Sequence, residues 1–115
     1  MPTRFQFKFR PKQLNSLDMD MFDIIWDKLK EWEISDAKLR VVLMQGSGSK
    51  AFCAGANIRS VYEAGVNGIH PELIRDFCAK EYIVFNGIQQ MDPIQISVYN
   101  GIAMGAGIGK LFIYS

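Results

Sequence analysis

The sequence PIQISVYNGIAMGAGIG, residues 93–109, decides the fold because it reads as a strand, a glycine-bearing turn and the start of a helix. Residues 94–99 are rich in β-branched and aromatic side chains and are bounded by Pro and Asn-Gly, as is typical of a buried strand. Glycines at positions 101, 105, 107 and 109 remove Cβ atoms where the backbone approaches other groups closely. The N–H groups at the helix start have no acceptor within the helix and favour negative charge. Two interpretations stay open from this stretch alone: a binding site for a negatively charged oxygen, or a turn that lets a helix pack tightly on a sheet.

The remaining sequence predicts further strands and helices in alternation. Apolar and polar side chains alternate over residues 5–9, which predicts a half-buried strand, and the apolar run at residues 39–44 predicts a buried strand. Periodicity and capping residues predict three helices: from Asn15 or Ser16 to about Ile34, from Asn57 through Ala64, and from His70-Pro71 to Asp92. This order indicates an α/β fold with parallel crossover connections.

Composition excludes several classes of function. The 115 residues suffice for one domain, and an apolar share of 49% suits a globular core. A net charge of +1 without a basic stripe gives no indication of a nucleic-acid partner. Two distant cysteines and a single histidine predict neither a disulfide scaffold nor a metal site. No segment reaches the roughly 18 apolar residues of a membrane span, so no membrane partner is expected.

A second segment, residues 41–57, follows the same order of buried strand, small-residue turn and helix start. In open α/β sheets, ligands bind beyond the carboxyl ends of strands, so the two turns are expected to face one crevice. Two backbone N–H groups, one from each turn, then point at one oxygen, and the small side chains of Ala56 and Ala106 let a carbonyl approach.

Two stretches resemble the two oxyanion-hole motifs of the crotonase (enoyl-CoA hydratase/isomerase) superfamily: KAFCAGANIR at residues 50–59 and NGIAMGAGIG at residues 100–109. A finer resemblance is to its 3-hydroxyisobutyryl-CoA hydrolase branch. It rests on RPK at 10–12 with LNSL at 14–17, KEWE at 30–33, FCAG at 52–55 with IR at 58–59, and EY at 81–82. The resemblance implies a crotonase-like ββα-type spiral, with residues 1–115 forming a partial domain of that kind, a truncated N-terminal portion.

The resemblance also implies site residues and a reaction. The backbone N–H groups of Ala56 and Ala106 would hold the thioester oxygen, Glu81 would contact the substrate beside Ala106, and Lys12 would lie near the CoA part. From the residues alone, Glu81 reads as part of a solvated helix face, and Lys12 reads as a surface charge after a proline. The implied reaction is hydrolysis of 3-hydroxyisobutyryl-CoA in valine catabolism, and the alternatives are a hydratase or isomerase, or a non-catalytic truncated chain. The resemblance further implies no cofactor, since coenzyme A belongs to the substrate, together with a mitochondrial location and a homo-oligomer.

Three departures from the family pattern matter. Ala106 stands where the family usually has glycine, and Asn57 stands where it often has aspartate; both keep the backbone donor or the capping oxygen. Gly109 stands where hydratases carry their first catalytic glutamate and where the hydrolase branch also has glycine, so it favours the hydrolase. The third departure is that the hydrolase carboxylates are expected beyond Ser115, which predicts that this chain alone is inactive.

Overall fold

The computed structural model describes residues 10–34, 40–68 and 72–109. Its helices are α1 (Met19–Ile34), α2 (Ile58–Val66), α3 (Leu73–Gln89) and α4 (Ala106–Gly109), and a short 3-10 turn covers Pro11–Gln13. Its strands are β1 (Val41–Gln45), β2 (Ala51–Cys53), β3 (Ile94–Val98) and β4 (Ile102–Ala103). The strand predicted at residues 5–9 and the helix start predicted at 70–71 lie outside the described residues.

The strands pair in parallel, which confirms the predicted α/β arrangement. β1 pairs with β3 in a register that sets Val41 beside Ile94 and Gln45 beside Val98. β2 pairs with β4, where Ala51 lies beside Ile102, and the register shifts before Cys53. The sequence predicted neither β2 nor β4, because strands of three and two residues are too short to show an alternating pattern.

The helix starts show one wrong prediction and one confirmed prediction. The first helix begins at Met19 and not after Asn15 or Ser16, because Asp18 provides the cap: its Oδ1 accepts the Met21 N–H at 3.0 Å. The helix is described as far as Ile34, the residue predicted as its approximate end, and residues 35–39 lie outside the described residues. Asn57 caps α2 as predicted, with its side-chain oxygen accepting the Ser60 N–H at 3.4 Å.

The core lies between α1, α3 and β2. Phe22 of α1 is fully buried and packs edge-to-face against Phe77 and Phe85 of α3, with ring centroids 5.3 and 6.0 Å apart. Such aromatic pairs contribute about 0.5–1.5 kcal/mol beyond the area that they bury. Phe52 and Cys53 of β2 join the same cluster. The core therefore fixes β2, the strand that leads into the first of the two turns.

The strand at residues 94–99 is not buried as predicted. Ile94, Ile96 and Val98 of β3 point to one face of the sheet and are 61%, 45% and 38% exposed. The apolar content of a strand shows that it suits a covered face, but it cannot show that the described residues supply the cover. Within those residues, no helix is both long and apolar enough to cross a membrane.

Candidate functional site

Two loops meet at the ends of β2 and β4. The first loop covers residues 54–57 and the second covers residues 104–106. The Met104 N–H donates to the Cys53 carbonyl at 3.0 Å, which continues the pairing of the two strands into the loops. Gly55 has a φ of +90°, and a Cβ at that position would lie 2.9 Å from the Met104 oxygen and 3.4 Å from the Ala106 nitrogen. The loops approach this closely only because residue 55 has no side chain.

The N–H of Ala56 has a defined direction. The Leu17 N–H donates to the Gly55 carbonyl at 2.8 Å, and the Asn57 N–H donates to the Leu17 carbonyl at 2.7 Å, which forms an isolated parallel bridge. In a trans peptide unit the C=O and N–H point in opposite directions. Because the Gly55 carbonyl points at Leu17, the N–H of Ala56 points away from it.

The N–H of Ala106 is available in the same way. Ala106 is the first residue of α4, so its N–H has no acceptor within that helix. The carbonyl of Gly105 accepts the Ile108 N–H at 3.0 Å, and the Ala106 N–H therefore points back from the helix start. Across residues 10–34, 40–68 and 72–109, no acceptor pairs with the N–H of either Ala56 or Ala106.

The glycines of the second motif serve packing as well. A Cβ on Gly101 would lie 2.5 Å from the Lys50 oxygen, and one on Gly107 would lie 2.3 Å from the Cys53 oxygen. Both contacts are with backbone, which cannot rotate away. The packing interpretation of the glycine-rich turn is thus correct for these two positions, and it does not exclude a role for the N–H of Ala106.

Two asparagines that the sequence analysis did not assign to the site hold the loops. Asn15 is fully buried, and its Nδ2 donates to the carbonyls of Ser47 and Ala51 at 3.0 and 2.8 Å. Asn100 binds Gly46 in both directions: its Nδ2 donates to the Gly46 carbonyl at 2.9 Å, and its Oδ1 accepts the Gly46 N–H at 3.0 Å. The Asn100-Gly101 pair was a recognisable turn signal. The hydrogen-bond partners of the Asn15 and Asn100 side chains, however, are more than 30 residues away in the sequence.

Cys53 lies beside the first loop and is buried. Its Sγ accepts the Gly55 N–H at 3.4 Å, which occupies the backbone donor next to that of Ala56. Burial raises the pKa of the Cys53 thiol, and the Gly55 hydrogen bond opposes this rise only in part. The thiol therefore stays protonated at neutral pH and acts as a packing group rather than as a nucleophile.

Comparison with known proteins identifies the family. A family model described as enoyl-CoA hydratase/isomerase matches residues 9–113. The chain belongs to the enoyl-CoA hydratase/isomerase family. Solved members with the same fold include an enoyl-CoA hydratase from Rhodobacter sphaeroides, at a TM-score of 0.77 and 32% identity over 92% of this chain and 31% of that chain. A carnitinyl-CoA dehydratase from Mycobacterium thermoresistibile matches with a TM-score of 0.77 and 30% identity, over 90% of this chain and 29% of that chain. The predicted crotonase-like fold is confirmed.

Curated relatives within the family point to one branch. Mitochondrial 3-hydroxyisobutyryl-CoA hydrolase of Xenopus laevis is 43% identical over 100 residues, which are 87% of this chain and 25% of the relative. The Dictyostelium discoideum protein of the same name is 40% identical over 105 residues, which are 87% of this chain and 28% of the relative. The chain thus spans about a quarter of the length of these relatives.

The other residues expected from the family resemblance lie on α3 and on the 3-10 turn. Glu81 is half-buried, and it stands four residues from both Phe77 and Phe85, which face the core. It therefore belongs to the inner stripe of α3 rather than to its fully solvated face. Lys12 is exposed on the 3-10 turn. Their contact with a substrate stays a prediction. In the described part of the chain, no three His, Cys, Asp or Glu side chains group as metal ligands.

Proposed function

We propose that this chain forms the oxyanion-binding part of an acyl-CoA thioester hydrolase that converts 3-hydroxyisobutyryl-CoA to 3-hydroxyisobutyrate and CoA in valine catabolism. The observation that carries the proposal is the close approach of the two loops, each with a backbone N–H that has no acceptor in the described chain. The names of the curated relatives support this choice of substrate. Their mitochondrial location and a homo-oligomeric state are proposed for this protein on resemblance alone.

In the proposed mechanism, the N–H groups of Ala56 and Ala106 donate to the thioester oxygen. Attack of water on the carbonyl carbon places negative charge on that oxygen, and both donors become stronger partners as the charge develops. Collapse of the tetrahedral intermediate then breaks the C–S bond and releases CoA. Each donor of this kind lowers the barrier by about 2.7–4 kcal/mol. The carboxylate that activates water is expected, by resemblance, beyond Ser115.

Glu81 and Lys12 are the proposed contacts with the rest of the substrate. A carboxylate at the inner stripe of α3 can accept a hydrogen bond from the 3-hydroxyl of the acyl group, which would distinguish hydroxylated from plain acyl chains. The exposed Lys12 ammonium suits the phosphates of CoA as a mobile point charge. No cofactor is required, because coenzyme A is part of the substrate.

Two alternatives remain. Hydration or isomerisation of an enoyl-CoA is favoured by the names of the solved neighbours. Gly109 argues against it, because glycine has no carboxylate for the position where hydratases carry a catalytic glutamate. The third candidate is a chain that binds acyl-CoA without turning it over.

The experiment compares the chain alone with a chimera in which it replaces the matching 100 residues of the X. laevis hydrolase. Both are assayed for CoA release from 3-hydroxyisobutyryl-CoA and for water addition to a 2-enoyl-CoA. We expect the chimera to release CoA, and the chain alone to do so far more slowly. In the chimera, Ala106→Gly keeps the donor and stays within a few-fold, whereas Ala106→Pro removes the donor and loses about 10²–10³-fold. Equal rates for the two variants would remove Ala106 from the hole, and water addition without CoA release would favour the hydratase.

A further inference from the structure

Asn15 has an unusual position for a polar side chain. It is 0% exposed and has a φ of +54°, directly after Leu14 with a φ of +53°. Left-handed backbone is costly for most residues and is tolerated best by glycine, asparagine and aspartate. Full burial of an amide is also unfavourable unless its polar atoms are bonded. The Nδ2 of Asn15 is bonded, whereas its Oδ1 has no hydrogen-bond partner among the described residues, so the contribution of this side chain lies in what its Nδ2 holds.

The Asn15 amide holds the chain that leads into the first loop. Its Nδ2 donates to the carbonyl of Ser47, in the connection between β1 and β2, and to the carbonyl of Ala51, the first residue of β2. Both acceptors are backbone groups, so these bonds fix the course of the main chain and not merely the position of a side chain. β2 then runs directly into the loop that carries Ala56.

The backbone on both sides of Asn15 grips the first loop itself. The Leu14 carbonyl accepts the Ala54 N–H at 3.0 Å, and the Leu17 N–H donates to the Gly55 carbonyl at 2.8 Å. The second of these bonds orients the peptide unit whose other end is the Ala56 N–H. Asn15 thus anchors residues 14–17 to β2 while those residues set the plane of the Gly55–Ala56 peptide.

We propose that Asn15 is a positioning residue that aims the Ala56 N–H at the thioester oxygen, acting through residues 14–17. The inference rests on the proposed function, because it requires an oxygen bound between the two loops. Asn15 is not a catalytic residue, since its own donors are taken by the Ser47 and Ala51 carbonyls. Without the amide, residues 14–17 keep their backbone bonds to residues 54–57 but lose the bonds to the Ser47 and Ala51 carbonyls, so the Gly55–Ala56 peptide is held less firmly. Acyl-CoA should then still bind, but with a less polarised carbonyl.

The test reads carbonyl polarisation directly. The chain is mixed with 3-hydroxyisobutyryl-CoA carrying ¹³C at the thioester carbon, and the carbon resonance of the bound form is recorded; hydrogen bonds to the oxygen move it downfield. Asn15→Gly keeps a backbone that accepts positive φ and deletes the amide. We expect this variant to keep binding within a few-fold and to lose most of the downfield shift. In a catalytically complete chimera the same change should lower kcat, by up to the roughly 10²-fold that a 1 Å misplacement can cause, more than it raises KM.

A core variant separates positioning from general stability. Val84 is a fully buried residue of α3, and its side chain cannot hydrogen-bond to residues 14–17. Val84→Ala removes methyl groups from the core and so destabilises the fold without removing a hydrogen bond of that segment. At matched folded fraction, Val84→Ala should retain the full carbonyl shift. Loss of the shift in Val84→Ala as well would reduce Asn15 to an ordinary stabilising residue.

The remaining outcomes are distinguishable. A full shift in Asn15→Gly overturns the positioning role and leaves the proposed function intact. No shift in the unmodified chain overturns the proposed oxyanion hole, and the role of Asn15 with it. If Asn15→Gly does not fold, Asn15→Ser decides: its side chain ends one bond before the position of Nδ2 and cannot hold both carbonyls, so a reduced shift supports the role and a full shift overturns it.

Discussion

Gly55→Ala is the substitution that most directly perturbs the contact between the two loops. The new methyl group would stand 2.9 Å from the Met104 carbonyl oxygen and 3.4 Å from the Ala106 nitrogen, and φ at this position is +90°. The left-handed backbone alone costs a non-glycine residue about 1–2 kcal/mol. The unfolded chain of an alanine variant is less disordered, which offsets about 0.4–1 kcal/mol of that cost.

The steric part adds to this conformational cost. Overpacking by one methyl group in a tight site costs about 1–3 kcal/mol, and here the opposing atoms are backbone, so they move only if the second loop moves. We expect Gly55→Ala to lose about 2–4 kcal/mol of the free energy of unfolding. Since the methyl group pushes on the residues that carry the Ala106 N–H, it should also reduce the downfield shift of a bound thioester carbonyl.

Gly68→Ala provides the matched control. Gly68 also has a positive φ, of +63°, but a Cβ there would meet no atom of residues 10–34, 40–68 or 72–109 within 4 Å. It should therefore show only the conformational part, at most about 1.6 kcal/mol. Urea unfolding followed by circular dichroism measures both variants, with the carbonyl resonance as a second readout for Gly55→Ala. Equal losses of stability in the two variants would refute the close approach of the loops.

Three further changes have defined outcomes. Glu81→Gln in the chimera should impair turnover of 3-hydroxyisobutyryl-CoA more than that of isobutyryl-CoA; equal effects on the two substrates would return Glu81 to a structural role. Asp18→Ala should lower the free energy of unfolding by about 1–2 kcal/mol, whereas Asp18→Asn, which keeps a capping oxygen for Met21, should lose less, as urea titration would show. In the folded chain at neutral pH, iodoacetamide should modify the exposed Cys78 well before the buried Cys53. Mass spectrometry of the digested peptides measures the extent of modification at each cysteine. Burial raises the pKa of Cys53 in the folded chain, so ionisation of this thiol favours the unfolded chain once the pH rises above the ordinary value of 9.0. The protection of Cys53 from iodoacetamide should therefore fall at that pH. Undiminished protection at high pH would contradict this prediction.

The local signals of the sequence were reliable where the chain's own neighbours decide the structure. The cap at Asn57 depends on contacts within a few residues, and it is confirmed. The parallel arrangement followed from the order of strands and helices, and it is also confirmed. The meeting of the two motifs at adjacent strand ends was predicted from the same order, and the β2–β4 pairing brings them together.

Where distant contacts decide, the sequence was insufficient. Asn15 is a good capping residue by type, yet carbonyls 32 and 36 residues away bind its amide, so Asp18 caps the helix instead. Burial of β3 was misjudged because it depends on what covers the strand and not on its composition. Glu81 is a different case: it looked solvated beside its polar neighbours, although its helical spacing from Phe77 and Phe85, which the sequence contains, sets it on the inner stripe.

The hydrogen bonds between Asn100 and the β1–β2 loop also affect the rate of deamidation at Asn100. In an Asn-Gly pair, the glycine nitrogen can attack the side-chain amide carbon, expel ammonia and form a succinimide that water opens to aspartate or isoaspartate. At Asn100 this attack must first break three hydrogen bonds, to the Gly46 N–H, the Gly46 carbonyl and the Gly48 carbonyl. The rate of ammonia loss at Asn100 therefore reports how often the loop opens transiently. After deamidation, the carboxylate at position 100 can only accept hydrogen bonds, yet it faces the carbonyl oxygens of Gly46 and Gly48. The loop therefore cannot return to its original hydrogen-bonded arrangement.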